Sequence, residues 1–462
     1  MSIFNERKKL ILIIGAVILA CLIGLIVFLI VRDGSDPARD QINLTYANWN
    51  LGPSHDDPLE LRMIQSFMDE HPHIVVEIDR SITLHTWMDT LTVAASEGRM
   101  PDVFMIDDIG AKVSNGWLMD ITSFAWDDLD FFDLPRLIRE ASLVNGMVYA
   151  LPFSQDVHGF FVNRDLFREL GIEPPSFGIS TEGFLRAVRG ATDLNRPSIG
   201  INHSLGFVDW FPGAINPHLG FFAYDGLGFA LNSPEMVEAV GIASDIFNSG
   251  FTFYSIPAGD VSDYFPIGYV LGAFRYGQMG MYYGGAWLMD VMLNQVSFDW
   301  DFIGVPGGRS VVSLEVIGVY ANTAHPEEAY LLAQWMGHGT EGNLRRLQYA
   351  RDMGITMNVL PVTQNRQVLD SLWQTIPAPG LQEVYAALDR AMIDGMGVLP
   401  GYMQARFSAP TGVAIPGTNH TNAGVDDIIR YSIIGDVDYS RYSALAEDVA
   451  RHQIEIAREA LQ

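Results

Sequence analysis

Read for chemistry, the chain lacks three common catalytic signatures. It has no GxxxxGK[ST] phosphate loop, no HExxH metal pair and no GxSxG nucleophile turn. Its eleven histidines are scattered. His71 and His73 flank Pro72 at an expected helix–strand junction, a setting for a surface pair rather than a metal site. The acidic doublets Asp56-Asp57, Asp107-Asp108 and Asp127-Asp128 have the residue types of a glycosidase, which needs an acid and a base about 5–9.5 Å apart. Among 55 acidic residues, however, such doublets arise by chance. Binding groups are better placed than catalytic ones. Asp107 and Asp108 end one apolar strand, and Trp49 and Asn50 follow another. A helix N-cap is the plain structural use of Asp107 or Asp108.

The elements that would position these residues alternate regularly. Ile42, Leu44 and Tyr46 alternate as in a strand, and Pro58 opens a helix with Met63, Ile64, Phe67 and Met68 on one face. A β-branched run over 73–79, a helix over 84–97 closed by Gly98, and a strand over 101–106 follow. Strand–helix repeats at this spacing predict right-handed crossovers and a mainly parallel sheet. Ligands of such sheets lie beyond the carboxyl ends of the strands, here the loops 48–57 and 107–111. Later expected elements are strands over 160–162, 280–283 and 316–321, and helices over 181–191, 234–248, 326–336, 381–392 and 443–461.

At 462 residues the chain is too long for one ordinary core, so two domains or lobes are expected. Its 48% hydrophobic and 18% charged residues are those of a globular protein. A formal charge of −27 opposes nucleic-acid binding. Lysine occurs only at Lys8, Lys9 and Lys112, and the single cysteine, Cys21, excludes an internal disulfide or a multi-cysteine metal site. Residues 10–31 form an uncharged apolar run behind Arg7, Lys8 and Lys9. That is close to the roughly 20 residues needed to span a bilayer, and the basic flank would stay in the cytoplasm. Ile18-Leu19-Ala20-Cys21 also has the form of a lipoprotein box, in which Cys21 would be acylated. Both readings, uncleaved anchor and lipoprotein, place the rest of the chain outside. Residues 32–40 (RDGSDPARD) read as a short linker.

From Asn145 the sequence closely resembles family 1 extracellular solute-binding proteins, the sugar receptors of ABC importers. The segment NGMVYALPFSQDVHGFFVNRDLFRELGIEPP (145–175) is similar to the family's G-x-x-Y-x-x-P … Y-N-x-D-x-F-x-x-x-G-x-x-x-P-P. PDVFMIDDIGAKVSNGWLMDIT (101–122), AFRYGQMGMYYGGAW (273–287), the stretch 304–336 and Leu360-Pro361-Val362 resemble further family blocks, in the family's order. Departures are Phe161 where Tyr is usual, Gly280 where Ala is common, and Ser313-Leu314-Glu315 where Gly-Gly is frequent.

The resemblance implies a two-lobed α/β periplasmic-binding-protein fold of type II, each lobe a mainly parallel sheet flanked by helices, with a hinge of crossing strands. Crossings are expected near 152–159, 312–315 and 359–364. One lobe would comprise 41–154 with 315–360, the other 155–314 with 361–462, behind the segment 1–40. The implied function is a receptor that delivers a mono- or oligosaccharide to ABC permease subunits, as a monomer without cofactor, metal or catalytic residue. A sensory receptor signalling to a membrane partner is the alternative, and a carbohydrate-active hydrolase a further one. Trp287, after Gly284-Gly285, matches the family's pocket tryptophan, with the glycines letting the backbone turn sharply. Asp156 matches a carboxylate presented to sugar from the hinge. Trp49, Asn50, Asp107, Asp108 and Glu315 complete the expected ligand set, with His158 behind them; Trp210 is a further ligand candidate whose apolar setting reads nearer to a buried structural tryptophan.

Overall fold

Apolar alternation produces β1 (Ile42–Ala47), and Asp57 and Pro58 start α1 (Pro58–Glu70). The Asp57 carboxylate accepts from the N–H of Leu59 at 2.7 Å, while Pro58 needs no partner for a donor it lacks. The structure, a computed structural model, describes residues 41–51, 57–82, 86–265, 268–357, 360–435 and 437–461. The apolar run 10–31, Cys21 and most of the loop after Asn50 lie outside these residues. Among the described residues no helix is long and apolar enough to cross a membrane.

The first lobe continues with β2 (Ile74–Ile78), α2 (Trp87–Ser96), β3 (Val103–Ile106) and α3 (Ile109–Ser114). β1 lies parallel to both neighbours, with Leu44 opposite Val76 and Tyr46 opposite Val103. Behind α2, Gly98 takes φ 67°, the left-handed conformation that ends a helix without steric cost. The long β4 (Leu151–Asn163) leads into the second lobe, where α4 (Thr181–Gly190), β5 (Ile199–Ile201), α5 (Phe207–Ile215) and α6 (Pro234–Asn248) follow. Next come β6 (Met279–Gly285), β7 (Trp300–Phe302) and β8 (Val311–Val319). α7 (Pro326–Met336) and α8 (Thr340–Met353) pack on the first lobe. β9 (Met392–Ile393), α9 (Val425–Ile433) and α10 (Ser443–Glu459) complete the chain.

One sheet runs through both lobes in the order β2-β1-β3-β8-β4-β6-β5, with β9 on β8 and β7 on β4. The outer strands of each lobe pair in parallel, and the crossing strands β8 and β4 are antiparallel to each other. A third crossing joins them at Leu360, whose N–H and carbonyl bond to Gln155 at 3.2 and 3.1 Å. Two apolar cores flank these crossings. One gathers Tyr46, Phe67, Phe104 and Trp335, the other Phe160, Phe184, Trp210 and Ile428.

Three elements differ from the sequence pattern. The strand expected over 160–162 is the end of the 13-residue β4, and the one over 316–321 begins earlier, at Val311. In both cases polar residues interrupt the apolar pattern while strands on either side still satisfy the backbone. The helix expected over 381–392 stops at Ala386, and Met392-Ile393 instead extend the sheet beside β8.

Candidate functional site

A central strand covered on both faces is normally apolar. β4 breaks that rule midway, where alternation places Ser154, Asp156 and His158 on one face. Its neighbour β8 answers with Ser313 opposite Asp156 and Glu315 opposite Ser154. Immediately beyond, the register shifts so that Val316 faces Pro152. Pro152 has no N–H to donate to the ladder, and bulges of this kind re-aim a side chain. A row of polar groups thus crosses the hinge.

Glu315 ties that row to the first lobe. Its carboxylate accepts from the Trp49 indole at 3.1 Å and the Ser154 hydroxyl at 2.5 Å. Burial pushes its carboxyl above the usual range, although the two donors oppose the shift. Asp156 lies 3.0 Å through Oδ2 from His158 Nε2. The same nitrogen is 3.1 Å from the Ser313 hydroxyl, which donates to Asp394 at 3.0 Å. The other oxygen of Asp156, Oδ1, is buried and has no donor among the described residues.

The second-lobe wall is Trp287, on a short turn (Ala286–Leu288) after β6. It is 48% exposed, and its ring meets His158 edge-on at 5.0 Å. Gly285 lies opposite His158, and a Cβ there would strike both the Trp287 ring and the Asp156 carboxylate. Gly285 itself is extended (φ −107°), so it serves to make room rather than to turn the chain sharply.

The first-lobe wall contains Trp49 and Trp87, edge to face at 5.4 Å. With Asp89, Asp107 and Glu315 they line an open cleft of about 590 Å³. Asp107 is ion-paired with Lys112, whose buried ammonium also lies 2.8 Å from the Met88 sulfur. Its neighbour Asp108 caps α3 by accepting from Ala111 N–H at 2.9 Å, and burial raises its carboxyl. Asp108 therefore serves the helix, and faces a separate small cavity beside α10. Asn50 is engaged through its backbone, which donates to Asn48 Oδ1 at 2.8 Å and accepts from Asp57 N–H at 3.0 Å.

Trp210, a ligand candidate whose sequence setting also read as a buried structural tryptophan, lies in the second core at 1% exposure, away from the cleft. It packs on Phe207 at 4.8 Å and on Phe160 and Phe184 at 5.7 Å. Its place on the apolar face of α5 decides this, because Val208, Phe211 and Pro212 are buried with it.

Sequence reasoning missed Trp87, Asp89, Ser154 and Asp394. Trp87 and Asp89 fell inside an expected helix, and nothing local marks Asp394. Ser154 was legible in principle, as the first step of the alternation that leads to Asp156 and His158.

Comparisons with known proteins bear on the fold. Residues 52–192 match the family model described as bacterial extracellular solute-binding protein. The fold is the solute-binding-protein fold. An ABC substrate-binding protein from Listeria monocytogenes, in complex with cycloalternan, superposes with TM-score 0.66 at 20% identity, over 90% of this chain and all of the other. The cyclic alpha-maltosyl-1,6-maltose binding protein from Arthrobacter globiformis gives 0.64 at 17%, over 90% of this chain and 100% of its own. The sugar-binding protein MalE from Xanthomonas citri gives 0.65 at 14%, over 90% and 98%. Among curated protein sequences none matches the chain.

Proposed function

We propose that this solute-binding protein is an extracytoplasmic receptor that takes a carbohydrate into the cleft between its lobes and delivers it to an ABC permease. The observation that carries this reading is the Asp156 carboxylate, whose Oδ2 shares the space at Gly285 with the half-exposed ring of Trp287 and whose Oδ1 has no donor among the described residues. Sugars present hydroxyl donors around weakly apolar C–H faces. A carboxylate accepts those hydroxyls, at roughly 1.5–3 kcal/mol for each hydrogen bond to a charged group, and an indole covers the faces. The names of the similar structures support the same ligand class. Binding and release need no bond-breaking residue, so the protein acts as a receptor and not an enzyme. The three crossings between the lobes provide a hinge about which they would close on ligand. The basic-flanked apolar run 10–31 would hold the chain to the membrane, by span or through Cys21, with the lobes outside.

Thermal melting of the full chain against a panel of sugars tests this reading. A sugar at 100 times its Kd should stabilise the fold by about 2.7 kcal/mol. A panel that leaves the melting temperature unmoved throughout would contradict it.

A further inference from the structure

We propose that the protein binds a second ligand, a small aliphatic carboxylate, in a cavity between the lobes and apart from the cleft, with the carboxylate on Arg309. The cavity measures about 490 Å³, within the roughly 300–1,000 Å³ of small-molecule sites. It shares no lining residue with the Trp49–Trp87 cleft, and Asp156, His158 and Trp287 take no part in it. Leu137 and Leu143, in and just after the short helix Arg136–Ala141, form one apolar wall and pack on the first core. Leu219, Phe221, Met392 and Leu399 form the other wall and pack in the second core. A ligand held there touches both lobes.

Two guanidiniums line this apolar space without a carboxylate beside them. Arg309 donates to the backbone carbonyls of Arg390 at 2.7 Å, of Leu219 at 3.3 Å and of Gly213, which seats the group but leaves its charge uncompensated. Those bonds use Nε and Nη1, so Nη2 has no acceptor among the described residues. Burial, and then the charge of nearby Arg390, hold its pKa below the ordinary guanidinium value, as expected of a cation that lacks an anion. Arg458 donates to the carbonyls of Leu227 and Gly226 and to the Tyr224 hydroxyl, at 2.6, 3.1 and 2.7 Å, and to no carboxylate among the described residues. Glu140, the one acidic side chain in the lining, is already paired with Arg136 at 3.0 Å. A carboxylate accepts from a guanidinium edge in a directed, charge-assisted bond, and an aliphatic body covers the apolar walls. The backbone here is also strained. Among the described residues, the non-glycine positions with positive φ are Asn145, Phe222 and Ala223, at 51°, 53° and 57°. Asn145 lines the cavity, and the other two lie between its lining residues Phe221 and Tyr224. Such conformations are costly and gather at ligand sites.

The test titrates the full chain calorimetrically with octanoate, with acetate (a head without a body) and with octanol (a body without a charge). Octanoate should saturate a single site, and the other two should bind at least tenfold more weakly. Arg309→Gln should weaken octanoate about tenfold or more and leave octanol unchanged. Leu143→Asp, on the opposite and half-buried wall, sets a carboxylate against the ligand and should give the same loss if Arg309→Gln does not fold. Octanoate that fails to saturate, acetate or octanol that binds as well, or a folded Arg309→Gln that binds octanoate like the parent would each overturn the site.

Discussion

Trp210 and Trp287 belong to the same lobe and differ in everything that decides a tryptophan's use. Trp210 sits on a helix whose neighbouring residues are apolar, and aromatic rings surround it. Trp287 follows a strand end at which a glycine leaves space, and its neighbours are a carboxylate and an imidazole. One ring is held by the fold; the other is held out for something to cover. Residue type was common to both, so the difference lies in the element carrying each ring and in the polarity of what it touches.

Substitutions can break that comparison, beginning with the largest effect. Trp210→Ala should cost about 3–5 kcal/mol of stability, read by denaturant unfolding, while any folded fraction still binds sugar normally. A mild loss would mean that the second core does not depend on this ring. Arg406→Leu probes the same core through charge. Arg406 lies 2.7 Å from Asp209 and 3.1 Å from Asp426, and its guanidinium covers the Phe222 ring at 4.2 Å. Removing it strands Asp209 in the interior, so a loss approaching 3–5 kcal/mol is expected, and unchanged unfolding would show the network to be dispensable.

On the cleft side, Asp156→Asn should reduce sugar affinity by about 1.5–3 kcal/mol, roughly 10- to 150-fold, with little change in melting temperature. Equal affinity would remove Asp156 from the site. The smallest effect is electrostatic. Burial raises the folded-state carboxyl of Glu315, so its protonated form favours folding. That contribution is complete below the unfolded value of about 4.3 and is lost as pH rises through the raised folded value. Glu315→Gln lacks it, so the stability of the parent relative to this variant should fall across that window. A pH-independent difference would show that Glu315 titrates normally.

Much of the fold was legible in the sequence because its periods were clean. Ile42, Leu44 and Tyr46 alternate, Pro234 starts a helix that ends at Asn248 as expected, and Gly98 stops another. The family resemblance located the crossings near 152–159, 312–315 and 359–364, but periodicity hid the full length of the first two strands, because Ser154, Asp156, His158 and Ser313 break the apolar pattern where the sheet needs polar groups. The site was legible in parts. Trp287, Asp156 and Glu315 were singled out from sequence, and the structure brings Asp156 and Trp287 together at Gly285 and Glu315 to Trp49. Asp108 and Trp210 were ligand candidates by type with a structural use legible beside each, and a helix start claims one and a core the other. Trp87 joins the cleft wall and Asp394 the hinge row through tertiary contacts that no local spacing announces.

We propose the exposed ring of Trp287, beside Asp156, as the place where a sugar is held. Its most direct test measures one variant, Trp287→Ala in the full chain, for both melting temperature and calorimetric affinity for the best-binding oligosaccharide. An affinity loss of about 2–4 kcal/mol, roughly 30- to 1,000-fold, is expected, with the melting temperature of the unliganded protein nearly unchanged. Undiminished affinity, or a collapse of stability like that expected for Trp210→Ala, would contradict it.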